Sequence, residues 1–124
     1  MQLDVTVVVP GIAGRVVDLH HADAALDQAV EGVVSGIWFN QGHVCCAGSR
    51  LFVEESIHDD FVARLGRRMQ QLRVGDPLDK NTDVGAINSK AQLETINRFL
   101  KAGGDEGAQR LEVSCSLPKK GFWC

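Results

Sequence analysis

Two adjacent thiols, Cys45 and Cys46, sit between Gly42 and Gly48 in the run Phe39-Asn40-Gln41-Gly42-His43-Val44-Cys45-Cys46-Ala47-Gly48-Ser49-Arg50-Leu51. A cysteine in a glycine-flanked turn after a helix is a plausible setting for a nucleophilic thiolate. The thiol attacks a carbonyl only as thiolate, and a free cysteine, with a pKa of about 8.5, is mostly protonated at neutral pH. Catalysis therefore needs local positive potential or a base. Attack on a carbonyl develops an oxyanion, which backbone N–H groups can stabilise. A Gly-x-x-Cys-Cys-Ala-Gly turn leaves such groups free and permits close backbone approach. On composition alone the two thiols also read as ordinary small buried residues.

The elements that must hold this turn are legible on both sides of it. Leu26, Ala29, Val30, Val33 and Ile37 recur at helical spacing, with Asp23 as candidate N-cap. Val34 and Trp38 widen that stripe, which predicts a helix buried on more than one side. After the turn, Arg50–Glu54 reads as a short strand. Ser56 and Asp59 resemble a capping box ahead of a stripe of Ile57, Phe61, Leu65, Met69 and Leu72. Arg64, Arg67 and Arg68 fall off that stripe and read as a solvated face. Gly75-Asp76-Pro77 ends the helix. Ser89 and Gln92 form a second capping box, with Leu93, Ile96, Phe99 and Leu100 inward and Gly103-Gly104 closing the helix. Val5–Val9, Val16–Leu19 and Leu111–Ser114 are candidate strands, and Gly11-Ile12-Ala13-Gly14 a turn. Strands alternating with helices predict an α/β fold, helices packed on a mostly parallel sheet.

At 124 residues the chain makes one domain at most, with a small core. Net charge is −3 and no basic stripe appears, which argues against a nucleic-acid partner. No apolar run approaches the roughly 18 residues of a spanning helix. The N-terminus lacks the pattern of a signal peptide, with Asp4 just ahead of Val5–Val9. Four cysteines, two of them adjacent, do not make a disulfide framework. They point to free thiols in a reducing compartment, the cytoplasm. His20, His21, Cys45, Cys46 and Cys115 match no zinc spacing, so no metal site is expected. Asp18, Asp23 and Asp27 read as helix-start and surface acids.

The thiol-bearing run resembles the catalytic-cysteine motif of the NAD(P)-dependent aldehyde dehydrogenases, roughly Phe-x-Asn-x-Gly-Gln-x-Cys-x-Ala-Gly-x-Arg. The resemblance extends further. Ala22-Asp23-Ala24-Ala25-Leu26-Asp27-Gln28-Ala29-Val30-Glu31-Gly32 is similar to the family's helix start. Leu72-Arg73-Val74-Gly75-Asp76-Pro77-Leu78-Asp79, Thr82-Asp83-Val84-Gly85 and Gly121-Phe122-Trp123 resemble its later motifs, in the right order. Ile37-Trp38-Phe39 and Gly121-Phe122-Trp123 point to the family 16 branch. The resemblance implies that Cys45 is the nucleophile and that its own N–H is half of the oxyanion hole. Cys46 has no required chemistry. In such enzymes the cysteine forms a thiohemiacetal with the aldehyde, hydride leaves to NAD or NADP, and a glutamate-activated water hydrolyses the thioester. Gln92 aligns with a position that can touch the cofactor ribose, and its capping role explains it equally well.

Departures from the family pattern bear on function. His43 stands where the family has glutamine or glutamate. Aligned without a gap, Gly11 occupies the place of the general-base glutamate, and glycine cannot activate water. No Gly-rich dinucleotide turn occurs, and Asn40 does not align with the asparagine that completes the oxyanion hole. The expectation is residues 22–124 as part of an aldehyde dehydrogenase catalytic domain, and 1–21 as a divergent, possibly strand-forming segment. A further alternative for Met1–Leu19 is unrelated sequence joined to a family fragment, and the abrupt ends suggest a piece of something larger. The parent activity is aldehyde oxidation, the isolated chain being inactive. The alternative is a non-catalytic relative acting in protein binding. Homo-oligomerisation or association through exposed apolar surface is expected in either case.

Overall fold

The computed structural model describes residues 16–20, 23, 25–112 and 115–123. Its centre is a strand–helix–strand unit: β1 (Val16–His20), α1 (Leu26–Ile37) and β2 (Arg50–Val53). β1 and β2 pair in parallel, Leu19 opposite Phe52 and His20 opposite Val53, with a bulge between Val16 and Asp18. A parallel pair needs a long crossover, and α1 supplies it. The candidate strand Val5–Val9 and the turn Gly11–Gly14 lie outside the described residues.

α1 forms because its apolar spacing meets a sheet and a second helix. Six of its first ten residues (Asp27, Val30, Gly32, Val33, Val34 and Ser35) are not strong helix formers, so packing rather than propensity decides. Val30, Val33, Val34 and Ile37 are buried with Leu51, Val53, Phe61 and Leu65 in one core. Asp27, Gln28, Glu31, Gly32 and Ser35 remain exposed. The helix therefore has a solvent face, where the width of its stripe had predicted burial on more than one side. Its N-cap is Ala25, without a side-chain cap, and not Asp23, which lies in the turn before it.

α2 (His58–Met69) covers α1 through Phe61 and Leu65, with Ile57, Met69 and Leu72 packed at the rim. Phe61 is fully buried, which is worth roughly 2–3 kcal/mol of transfer free energy. Asp59 and Asp60 in its first turn and Arg67 and Arg68 in its last oppose the helix dipole favourably. Ser56 does not cap it. Its hydroxyl donates to Glu54 (2.8 Å) within the 3-10 turn Glu55–Ile57. The arginines are also not simply solvated. Arg64 binds Asp27 (2.7 Å) as well as Asp60, and Arg68 binds Glu31 (2.6 Å), so both reach across to α1.

A loop then runs from Arg73 to Val84, closed by a bridge between Val74 and Val84 and by Asp83, which accepts from the Arg73 backbone N–H (2.8 Å). α3 (Lys90–Asp105) begins at Ser89, whose hydroxyl accepts from the Gln92 N–H (3.2 Å) as the capping pattern predicts. It passes through Gly103-Gly104 and ends instead at Gly107, whose φ of 89° only glycine adopts readily. Ala108 N–H binds the Gly103 carbonyl (2.9 Å) and Gly107 N–H the Gly104 carbonyl (3.1 Å), a Schellman closure. Ile96 is buried, whereas Phe99 is 46% exposed rather than inward, with the Arg98 guanidinium 5.4 Å from its ring. Leu111 and Glu112 are irregular, and Val113-Ser114 of that candidate strand lie outside the described residues.

Candidate active site

The Cys45 turn occupies the joint between the end of α1 and the start of β2. α1 stops at Ile37 because the next turn bends out of the helix. Asn40, Gln41 and Gly42 have φ of 50°, 56° and 73°, three successive left-handed residues. Asparagine tolerates that region through short side-chain hydrogen bonds, and Asn40 Nδ2 donates to the His43 carbonyl (3.2 Å). His43 N–H in turn donates to the Asn40 carbonyl (2.9 Å). With its amide oriented to satisfy both ends, Gln41 donates to the Asn40 carbonyl and accepts from Gly85 N–H, each at 3.0 Å. The absence of a Cβ at Gly85 matters, since one would lie 3.0 Å from that amide.

Val44–Ala47 is a tight turn closed by Ala47 N–H to the Val44 carbonyl (3.0 Å), with the two cysteines at its corner. Gly48 N–H donates to the Gly36 carbonyl (3.0 Å), which ties the turn to the last turn of α1. Ala47 and Ser49 are buried and anchor the return into β2. Both thiols are free and exposed, so they are not core-filling residues. The Cys45 N–H bonds to no described residue. The corner thus presents an exposed sulfur beside a backbone N–H that no described residue engages.

Ion pairs and hydrogen bonds between the helices and in the Arg73–Val84 loop shift several ionisations. The Arg64 guanidinium, hydrogen-bonded first to Asp60, holds that carboxyl below its usual range and is itself held more firmly protonated. The Arg73 backbone N–H lowers Asp83 in the same way, and Glu31 raises Arg68. Among the described residues no three His, Cys, Asp or Glu side chains come together as a metal site.

Gln92 stands in the first turn of α3, half-buried, and only its backbone N–H is used in the cap. Among the described residues, α3 shares no hydrogen bond with residues 42–49. The described residues do not fit a dinucleotide by themselves. The connection from β1 to α1, residues 21–25, holds no glycine, and a pyrophosphate at a strand-to-helix turn needs the close backbone approach that glycine allows. Gly11, at the place of the family's base, lies outside the described residues. Sequence reasoning missed the link from Gln41 to Gly85 and the enclosure of His43. Only the Asn-Gln-Gly order, with Asn and Gly tolerant of positive φ, carried any signal of that turn.

The model of the aldehyde dehydrogenase family matches residues 15–122. The chain is 42% identical over 101 residues to mitochondrial 10-formyltetrahydrofolate dehydrogenase of Homo sapiens, a match covering 82% of this chain and 11% of that protein. It is 41% identical over 101 residues to the cytosolic 10-formyltetrahydrofolate dehydrogenase of Xenopus tropicalis, with the same coverage of each. The chain thus spans about a tenth of the length of these relatives. Its structure is similar to that of a Bacillus cereus aldehyde dehydrogenase in complex with NAD+, with a TM-score of 0.76 at 30% identity over 89% of this chain and 22% of that one. A Staphylococcus aureus betaine aldehyde dehydrogenase, also in complex with NAD+, gives a TM-score of 0.68 at 32% identity over 69% of this chain and 17% of that one.

Proposed function

The chain belongs to the aldehyde dehydrogenase family, and from that premise we propose that it carries the nucleophile of an aldehyde-oxidising enzyme, with Cys45 in that role. The overall reaction is oxidation of an aldehyde to a carboxylic acid, with NAD or NADP as hydride acceptor. The observation that carries the reading is the Cys45 turn itself: an exposed free thiol on a tied-down corner, its own N–H bonded to no described residue.

The chemistry this chain supplies is addition. The Cys45 thiolate attacks the aldehyde carbonyl carbon, a C–S bond forms, and the carbonyl π pair moves onto oxygen. The Cys45 N–H then donates to that oxygen. One donor of a pair is a partial hole, and loss of a donor costs about 100–1000-fold. The described residues form neither a dinucleotide cradle nor a base to activate water, so no later step is assigned to them. Gln92 is kept as a cofactor-side residue within this proposal. Three free, exposed cysteines suit a reducing compartment, and we place the chain in the cytoplasm on that ground.

A second reading, a non-catalytic relative acting through protein binding or self-association, rests on exposed apolar side chains. Leu78 is 93% and Phe39 70% exposed, and Leu111, Leu117 and Phe122 are partly so. An activated ester separates the two. With p-nitrophenyl acetate the first reading expects a burst of nitrophenolate that leaves the acetyl group on Cys45 and is lost in Cys45→Ala. A burst unchanged in Cys45→Ala would leave the binding reading in its place. The isolated chain is expected to give no NADH from short or aromatic aldehydes. Turnover that vanishes in Cys45→Ala would show instead that these residues build a complete site.

A further inference from the structure

We propose that His43 is a positioning residue for Cys45, acting through its Nδ1 and not its Nε2. The inference rests on the reading of Cys45 as nucleophile. His43 Nδ1 lies 3.0 Å from the Gln41 carbonyl oxygen. A carbonyl only accepts, so Nδ1 carries the proton. Nε2 is buried and has no hydrogen-bond partner among the described residues. Leaving such an atom unpaired is unfavourable. A ring held in place at that cost is held by its other nitrogen.

What Nδ1 holds is the direction of the chain. Asn40 and Gln41 both sit at positive φ, a conformation unfavourable for a non-glycine residue. Residues 40–43 keep it by internal bonds: Asn40 Nδ2 to the His43 carbonyl, His43 N–H to the Asn40 carbonyl, and the imidazole to the Gln41 carbonyl. Only Val44 then separates this knot from Cys45. Downstream the corner is tied by Gly48 to Gly36. The Cys45 turn hangs between these two fixed points, and removing the upstream one lets the sulfur and its N–H swing together. Nε2 is not the base for Cys45. It is enclosed and has no partner among the described residues, whereas the thiol is exposed.

The two ring nitrogens can be replaced separately. An asparagine amide nitrogen falls near the place of Nδ1, and a glutamine amide nitrogen near that of Nε2. The experiment measures the rate of iodoacetamide labelling at Cys45 by peptide mapping in the 124-residue chain and in His43→Asn, His43→Gln and His43→Ala. The Cys115 rate and far-UV circular dichroism serve as controls of fold. The expected result is that His43→Asn labels within about twofold of the parent. His43→Gln and His43→Ala should fall roughly tenfold at Cys45 with Cys115 unchanged, as displacement of a reacting group does. If His43→Ala unfolds, the near-isosteric pair still decides. Rescue by glutamine and not asparagine, or equal rates in all four chains, or a loss that asparagine shares, overturns the inference. Preferential labelling of Cys46 or Cys115 in the parent is a different outcome and overturns the assignment of the nucleophile instead.

Discussion

Gly48 donates its N–H to the carbonyl of Gly36 at 3.0 Å, across a segment that includes both adjacent thiols. This bond makes the cysteine corner part of α1 rather than a loose loop. It predicts a sharp contrast in amide hydrogen exchange. Gly48 N–H should be protected, whereas Cys45 N–H, with no bond to a described residue, should exchange at close to the open-chain rate. Fast exchange at Gly48 would mean that the corner is untied.

The core predicts a severe effect from one substitution. Phe61 is fully buried between α1 and β2, and Phe61→Ala should cost about 3–5 kcal/mol. A chain of this size has little stability to lose. Urea titration followed by circular dichroism should show the cooperative transition lost or moved to a much lower midpoint. A change below 1 kcal/mol, an order set by ordinary surface substitutions, would contradict the packing described.

Gln92 and Ser89 should separate cleanly. Ser89→Ala removes the cap oxygen and should cost about 1 kcal/mol of stability. Gln92→Ala keeps the backbone N–H that the cap uses, so its effect on stability should be small. Any change of dinucleotide affinity in a longer enzyme carrying Gln92→Ala would then report the side chain itself. Equal destabilisation by both substitutions would contradict the cap geometry.

Asp83 ties the Arg73–Val84 loop, and the Arg73 N–H lowers its pKa. A carboxyl lowered in the folded state adds stability that is fully present above its unfolded pKa, about 3.9. That stability is lost as pH falls through the still lower folded value. Asp60, lowered by Arg64, contributes with the same sign. Asp83→Asn should therefore flatten the acid limb of a Tm-against-pH curve below about pH 4 and leave its neutral part nearly parallel. An acid limb unchanged in Asp83→Asn would show that the loop tie carries no such linkage.

The strand–helix–strand core was legible because its signals are local. The spacing from Leu26 to Ile37 and from Ile57 to Leu72 named the core residues, and Arg50–Glu54 named β2 to within a residue. Ser89 capped its helix as the pattern required. What failed depended on competition between near-equal local choices. Ser56 found Glu54 before it found a helix end, and Gly103-Gly104 was passed over because the turn at Gly107 lets two N–H groups, its own and that of Ala108, close onto the Gly104 and Gly103 carbonyls. The ties between helices, Arg64 to Asp27 and Arg68 to Glu31, span residues far apart in sequence and have no local signature. At the site, the cysteine and its glycine-flanked turn were readable. The exposure of both thiols, the enclosure of His43 and the Gln41 link to Gly85 arise from tertiary folding alone.

The central claim is that Cys45 is the nucleophile, and site-resolved alkylation of the native chain tests it most directly. Limiting iodoacetamide at neutral pH, quenched early and mapped by peptide, gives a rate for each of the four cysteines. Cys45 should label first, ahead of Cys46 on the same corner and ahead of Cys115 and Cys124. Exposure alone would favour Cys46 and Cys115 equally, since all three described thiols are exposed. A lead for Cys46, Cys115 or Cys124, or rates that do not differ, would contradict the claim.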